Sequence, residues 1–329
     1  MLRISPAPHI TSKVSTKTIM WSVVAALMPA FIYAIHIFGE RVILLTLLSI
    51  LSAMGSEYIF RKITKKEIRI SDGSAVITGL LLAFNISPKS PWWLPVVGSA
   101  FAIFVVKQIF GGIGYNIFNP ALAGRAFLTA SWPSLMAGNW APPASGTLSG
   151  LPTQALDGIA QATPLTLLKV NPTESIAQSL NSTYMLKALF LGKVGGCIGE
   201  TSALLLLIGA LYLFFKKYAD WKISLGYIGS VFVFSGILYY LGKTPAIPLF
   251  HVLSGGVMLG GLFMATDMVT SPVTVKGRWI FGVAGGIICV LIRVWGGYPE
   301  GVSYSILIMN MFVPLLDRIS EKTIFGRER

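Results

Sequence analysis

Charge is scarce in this chain. Only 12% of its 329 residues are Asp, Glu, Lys or Arg, against about 25% in soluble globular proteins. Acids are scarcer than bases, 13 against 26, which leaves a net charge of +13. Cysteine is almost absent. Cys197 and Cys289 are too few for a four-thiolate iron–sulfur site within the chain, and each reads as a small buried hydrophobe. His9, His36 and His251 are scattered, and no zinc-helix, dinucleotide or phosphate-loop motif occurs. The first 18 residues lack an apolar run, so no cleavable signal peptide is expected and the first span serves as the insertion signal. What is abundant is apolar: 54% of residues are hydrophobic and the mean hydropathy is +0.71. A chain this apolar cannot cover itself in water, which excludes disordered, disulfide-rich secreted and nucleic-acid-binding classes. It reads as an integral membrane protein.

A spanning helix needs about 20 mainly apolar residues. Ten segments qualify: 19–38, 42–60, 73–87, 92–111, 119–132, 188–215, 223–241, 252–270, 278–296 and 301–316. The third, fifth and eighth are short or glycine-rich, and the sixth is interrupted at Gly195-Gly196 and Gly199-Glu200-Thr201. Basic residues precede the first span (Arg3, Lys13, Lys17) and fill the second connection (Arg61, Lys62, Lys65, Lys66, Arg69). They follow the sixth span (Lys216, Lys217, Lys222) and the eighth (Lys276, Arg278), and end the chain (Arg318, Lys322, Arg327, Arg329). With ten spans these 17 of the 26 basic residues share one side, which the positive-inside rule makes cytoplasmic. Both termini are then cytoplasmic, and residues 133–184 form an external segment. That segment holds few charges, Asp157, Lys169 and Glu174. Its apolar strings Leu165 to Val170 and Ile176 to Leu180 predict that it packs down rather than floating as a solvated linker.

Gly79-Leu80-Leu81-Leu82-Ala83 recurs as Gly261-Leu262-Phe263-Met264-Ala265, each followed by Ser-Pro, at Ser87-Pro88 and Ser271-Pro272. Each copy leads through a strong span to a basic residue, Lys107 or Arg293, 19 or 21 residues after the proline, and to Gly111-Gly112 or Gly296-Gly297. The expected architecture is therefore all-α: residues 1–132 hold a first five-helix repeat, 133–184 the external loop, and 185–329 a second repeat with a cytoplasmic tail. A five-span repeat has an odd count, so its copies insert in opposite orientations, and such repeats place a site near the midplane at their interface.

Ionisable residues inside spans are functional candidates because burying them is costly. They are Glu57, Lys107, Arg125, Glu200, Asp267 and Arg293. Lys107 and Arg293 lie near span ends and are expected to snorkel, and Glu57 to be a wetted ion-pair partner. Glu200 and Asp267 lie deeper, in broken segments, and are candidates for an ion path or a polar cofactor. Asn116 and Asn119 follow a glycine-rich break; they either offer amides to a ring edge or cap the helix led by Pro120. In the outer loop runs Leu156-Asp157-Gly158-Ile159-Ala160-Gln161-Ala162-Thr163-Pro164-Leu165. Here an Asp-Gly turn precedes Thr163, which could cap a helix starting at Pro164. A helix start also suits a phosphate.

These strings resemble the RnfD/NqrB family, with the RnfD branch nearer, over nearly the whole chain. The likeness rests on Ser71-Asp72-Gly73-Ser74, Thr78 to Ala83, Lys107-Gln108 and Gly111 to Ala121. His251 to Gly256, Thr266-Asp267 and Gly296 to Val302 complete it. The resemblance implies a membrane flavoprotein subunit that relays electrons between ferredoxin- and NAD-handling partners, coupled to Na⁺ or H⁺ movement. It implies FMN held covalently by a phosphoester to the Thr163 hydroxyl, within an attachment pattern to which Asp157, Gly158, Ala162 and Thr163 conform. Ala160 stands where that pattern usually has Ser or Thr. It further implies a flavin transferase for maturation, a noncovalent riboflavin among the spans, and the companion subunits RnfA, RnfB, RnfC, RnfE and RnfG. The scaffold alone also permits a different class, a stand-alone channel or secondary transporter.

Overall fold

The computed structural model describes residues 14–68, 70–137, 163–170, 174–200 and 202–320, and its regular elements are helices. Five are long and apolar enough to cross a membrane: α1 (Thr16–Phe38), α2 (Arg41–Ile63), α11 (Trp221–Tyr240), α14 (Val275–Trp295) and α15 (Val302–Ser320). Shorter apolar helices fill in between them: α3 (Ser74–Phe84), α4 (Trp93–Gln108), α5 (Pro120–Ser131) and α10 (Ala203–Phe215). The second half of α4, Ala102–Gln108, is a π-helix. The remaining elements are α6 (Pro133–Ala137), α7 (Pro164–Val170), α8 (Glu174–Leu180), α9 (Thr183–Leu191), α12 (Pro248–Leu253) and α13 (Val257–Leu259). A π-turn over Gly260–Met264 continues α13.

Local sequence explains where the helices begin. Ser15, Asn119, Ser182, Ser202, Asp220 and Thr274 each accept a backbone N–H from the first turn of the helix that follows, which satisfies a donor the helix cannot. Packing then relies on small residues rather than on apolar burial, because lipid is as apolar as leucine. A Cβ on Gly79 would meet the backbone of Ile50 at 2.7 Å. On Gly282 it would meet Ile223 O at 2.6 Å, and on Gly286 it would strike Tyr227 O. Glycines thus let α2 and α3, and α11 and α14, touch backbone to backbone.

Three of the predicted spans are broken. The third gives an eleven-residue helix, α3, and then the buried turn at Asn85, Ile86 and Ser87. The sixth stops at Gly192, whose φ is 89°, and resumes only at Ala203 after a short 3₁₀ turn at Ile198–Glu200. The eighth breaks at Ser254-Gly255-Gly256 between α12 and α13. Irregular backbone survives at membrane depth only where protein satisfies it, and two of these breaks satisfy each other. Ile198 N donates to Ile86 O at 3.1 Å, and the Cys197 thiol donates to Asn85 O at 3.4 Å. The apolar strings Leu165 to Val170 and Ile176 to Leu180 pack down as expected. Leu165 of α7 and Leu180 of α8 join Met185, Leu189 and Phe250 in one buried cluster.

The snorkelling expected of Lys107 and Arg293 is overturned, and so is the wetted Glu57. Lys107 is 2% exposed, Arg293 5% and Glu57 0%. Glu57 accepts from Arg61 at 3.0 Å and from Lys107 and Gln108, both at 2.8 Å, while Lys107 also donates to Ser74 Oγ at 2.7 Å. Arg293 donates to His251 O at 2.5 Å and Ser254 O at 2.9 Å. Each cation therefore turns inward because an acceptor beside the start of a short helix awaits it, at α3 for Lys107 and before α13 for Arg293. Glu57→Ala should strand two buried cations and cost about 3–5 kcal/mol. Thermal unfolding in detergent measures this, and an unchanged midpoint would refute the network's role.

Candidate functional site

Two clefts gather most of the candidate residues. The first, about 630 Å³, is walled by α5, α7, the turn at Glu200, the break before α13, and the Tyr298–Glu300 loop with the start of α15. At its base Arg125, two turns into the Asn119-capped α5, donates to Asn85 Oδ1 at 2.8 Å and to the Glu300 carboxylate. Glu300 also accepts the backbone N–H of Gly256 at the start of α13. No side chain fits there: a Cβ on Gly255 or Gly256 would lie 2.9 or 2.8 Å from Glu300 Oε1, and Gly255 has a φ of 64°. Arg125 thus links the break after α3 to the break before α13 through one carboxylate. Glu200 lines the same cleft, and the Tyr298 and Tyr304 rings stack across its wall at 5.1 Å.

Thr163 also lines this cleft. It is buried and caps α7: its Oγ1 accepts from Thr166 N at 3.2 Å and lies 2.9 Å from Thr166 Oγ1. Pro164 is the first residue of that helix, as its position after a capping threonine predicted. Asp157, Gly158, Ala160 and Ala162 lie outside the described residues. Lys169, at the other end of α7, reaches the C-terminal end of α14. Its ammonium donates to Ile292 O at 3.4 Å, Arg293 O at 3.2 Å, Tyr298 O at 2.9 Å and Gly296 O.

The second cleft, about 790 Å³, brings together Asn116, Asn119 and Asp267 with Lys107, Ser74 and Phe263. Asn119 fills the capping role: Oδ1 accepts from Ala121 N at 3.1 Å and Leu122 N at 3.3 Å, and Nδ2 donates to Met264 O at 3.2 Å. Asn116 Nδ2 donates to Phe118 O at 3.1 Å. Asp267 closes a turn, accepting from Val269 N at 3.4 Å and Thr270 Oγ1 at 3.1 Å. The two acids offered for an ion path therefore line different clefts. Asp267 shortly precedes α14 and Glu300 follows it, so the clefts sit at opposite ends of a 21-residue helix, about 30 Å long.

Glu300 and Lys169 are the site residues that sequence reasoning passed over. Glu300 stands in the Tyr298-Pro299-Glu300-Gly301 string, but its partner Arg125 is 175 positions away. The acceptors of Lys169 are backbone carbonyls, which no residue identity reveals.

A family model described as "NQR2, RnfD, RnfE family" matches residues 3–326. Among similar proteins, a subunit of the Na⁺-translocating ferredoxin:NAD⁺ oxidoreductase complex of Acetobacterium woodii is 45% identical, over 99% of this chain and 95% of that protein. A subunit of the proton-translocating ferredoxin:NAD⁺ oxidoreductase complex of Clostridium ljungdahlii is 43% identical, over 99% and 96%. A subunit of the ion-translocating oxidoreductase complex of Stutzerimonas stutzeri is 39% identical, over 95% and 93%.

The tight fit at Glu300 yields a test of the first cleft. Gly256→Ala should lower stability by about 1–3 kcal/mol through overpacking, and most of that cost should vanish in a Glu300→Ala background. Additive losses in the double-mutant cycle would mean that the methyl group and the carboxylate do not compete for this space.

Proposed function

The chain belongs to the NQR2, RnfD, RnfE family, and on that footing we propose that it is a membrane flavoprotein subunit of an ion-translocating ferredoxin:NAD⁺ oxidoreductase complex. In this role it relays electrons between partner subunits, RnfA, RnfB, RnfC, RnfE and RnfG, and is not catalytically complete alone. Relatives matched over nearly their full length carry subunit names of such complexes, which favours this reading over a stand-alone channel. The observation that carries it to a residue is Thr163, a buried hydroxyl in the wall of a cleft that also holds Arg125 and a stacked tyrosine pair.

FMN joined to Thr163 is consistent with those residues. Tyr298 and Tyr304 offer an aromatic wall against which a ring can lie. Maturation requires the Thr163 hydroxyl to lose its proton and take the flavin phosphoryl group of FAD, with AMP leaving, on a flavin transferase. The esterified Oγ1 keeps a lone pair for Thr166 N, so the cap of α7 survives attachment, and the Thr166 hydroxyl remains free to donate. The bound flavin would supply the redox chemistry; the chain's part is to orient it, set its surroundings and exclude water. Arg125, held by Glu300 and Asn85, presents a fixed guanidinium to the cleft, its charge balanced by the Glu300 carboxylate. The second cleft, with Asn116 near the Asn119 cap, suits a noncovalent riboflavin by its mixed apolar and amide lining.

The ten spans are read as two inverted five-helix units, 1–132 and 185–329, around the loop 133–184. Lys217, Lys222 and Arg278 lie in a groove sharing Thr266 and Met268 with the second cleft. Positive-inside reasoning therefore makes that cleft cytoplasmic and the Thr163 cleft external. Glu200 and Asp267 then stand as acids near opposite faces, suited to passing a cation. Two of the relatives are subunits of complexes named for different ions, Na⁺ and H⁺, so membership of the family does not by itself fix the coupled ion.

Protein coexpressed with a flavin transferase should fluoresce as a flavin band in a denaturing gel, and Thr163→Ala should abolish the band. A band retained in that variant refutes the attachment site. In sealed vesicles, Glu200→Gln and Asp267→Asn should impair ion transport more than complex assembly; equal loss of both would make these acids structural.

A further inference from the structure

We propose that Lys169 is the positioning residue that seats α7 on the C-terminal end of α14 and thereby fixes Thr163 over the Arg125–Glu300 cleft. The proposal rests on Thr163 as the flavin attachment site, although the seating itself can be tested without flavin.

The last carbonyls of a helix have no partner within it and carry the negative end of its dipole. At α14 Ile292 O already accepts the capping N–H of Gly296 at 2.8 Å, while Arg293 O lies beyond that cap, and the chain turns away at Gly296, where a Cβ would strike Ile292 O at 2.5 Å. The Lys169 ammonium sits among these carbonyls and those of Gly296 and Tyr298. Burial pulls its pKa below the ordinary lysine value, a desolvation that the surrounding acceptors offset. A seven-residue helix cannot hold itself together, so α7 depends on what it touches. Leu165, four residues earlier and on the same face, enters the buried cluster with Leu180, Met185 and Phe250. Leu165 gives α7 adhesion without register; Lys169 supplies the register.

The acceptor loop is what makes this seat more than a structural tie. Gly296 and Tyr298 belong to the same short stretch that carries Glu300, the partner of Arg125, and Tyr298 itself stacks on Tyr304. One loop therefore sets both the floor of the cleft and the position of the helix bearing the attachment hydroxyl. Displacing the ammonium would leave the floor in place while Thr163 lost its alignment with it.

The test uses the full-length protein in which Cys197 and Cys289 are replaced by alanine and thiols are introduced by Thr163→Cys and Ser303→Cys on two walls of the cleft. A short bismaleimide then reports how often the walls face each other. Charge-assisted hydrogen bonds are the stronger kind, and Lys169→Met should slow cross-linking about tenfold, with Lys169→Arg restoring most of the rate. A rate in Lys169→Met within about twofold of the parent overturns the proposal, since a twofold change is worth well under 1 kcal/mol. So does slowing that Lys169→Arg fails to rescue, or that merely tracks a lowered unfolding temperature. In protein carrying Thr163 and its flavin, Lys169→Met should also lower the fluorescence polarisation of the attached group. Absence of attached flavin from protein that keeps Thr163 would refute the Thr163 reading while leaving the cross-linking result intact.

Discussion

Backbone polar groups exposed by broken helices in an apolar slab must find partners within the protein, and this constraint organises the molecule. Three breaks, after α3, before α10 and before α13, meet near one another. Ile198 N and the Cys197 thiol satisfy the turn after α3. Arg125 takes Asn85 Oδ1 from the same turn and reaches Glu300, which in turn accepts the N–H of Gly256 before α13. Arg293 covers the carbonyls of His251 and Ser254 on the other side of that break. Among the described residues, Arg125, Glu300 and Arg293 thus spend their charge on the groups that these breaks expose. Both clefts are spaces left between helix ends.

Much of this was legible in the sequence, and the limits have physical reasons. The five long helices are visible because length and apolarity alone define them, and the break before α10 is visible because Gly195-Gly196 and Gly199 interrupt an apolar run; the turn after α3, at Asn85 to Ser87, carries no glycine to announce it. Thr163 at the cap of α7 followed from the Thr-Pro pair, and Asn119 before Pro120 likewise. Burial of Lys107 and Arg293 did not follow, because whether a cation near a span end snorkels or turns inward depends on acceptors that only the tertiary fold brings near. Glu57 illustrates this: its partners Lys107 and Gln108 come from 50 and 51 residues downstream.

The two clefts lie at opposite ends of α14, and each contains one of the acids, Glu200 or Asp267, that sequence reasoning had grouped together. Between them run packed apolar side chains such as Leu82, Phe84, Leu259 and Phe263. Such packing joins the two sites rigidly while keeping water and ions from passing freely between them.

The burial of Thr163 bears on the life history of the protein. A hydroxyl that caps a seated helix inside a cleft is out of reach of another enzyme's active site. If this residue carries the flavin, the transferase must act before α7 settles, so attachment is a step of biogenesis and not of turnover. The newly attached group would then travel inward with its helix, and docking of α7 would seal the ester away from water. This short helix would in that way serve as a one-way door, open to the maturation enzyme once and closed for the working life of the complex.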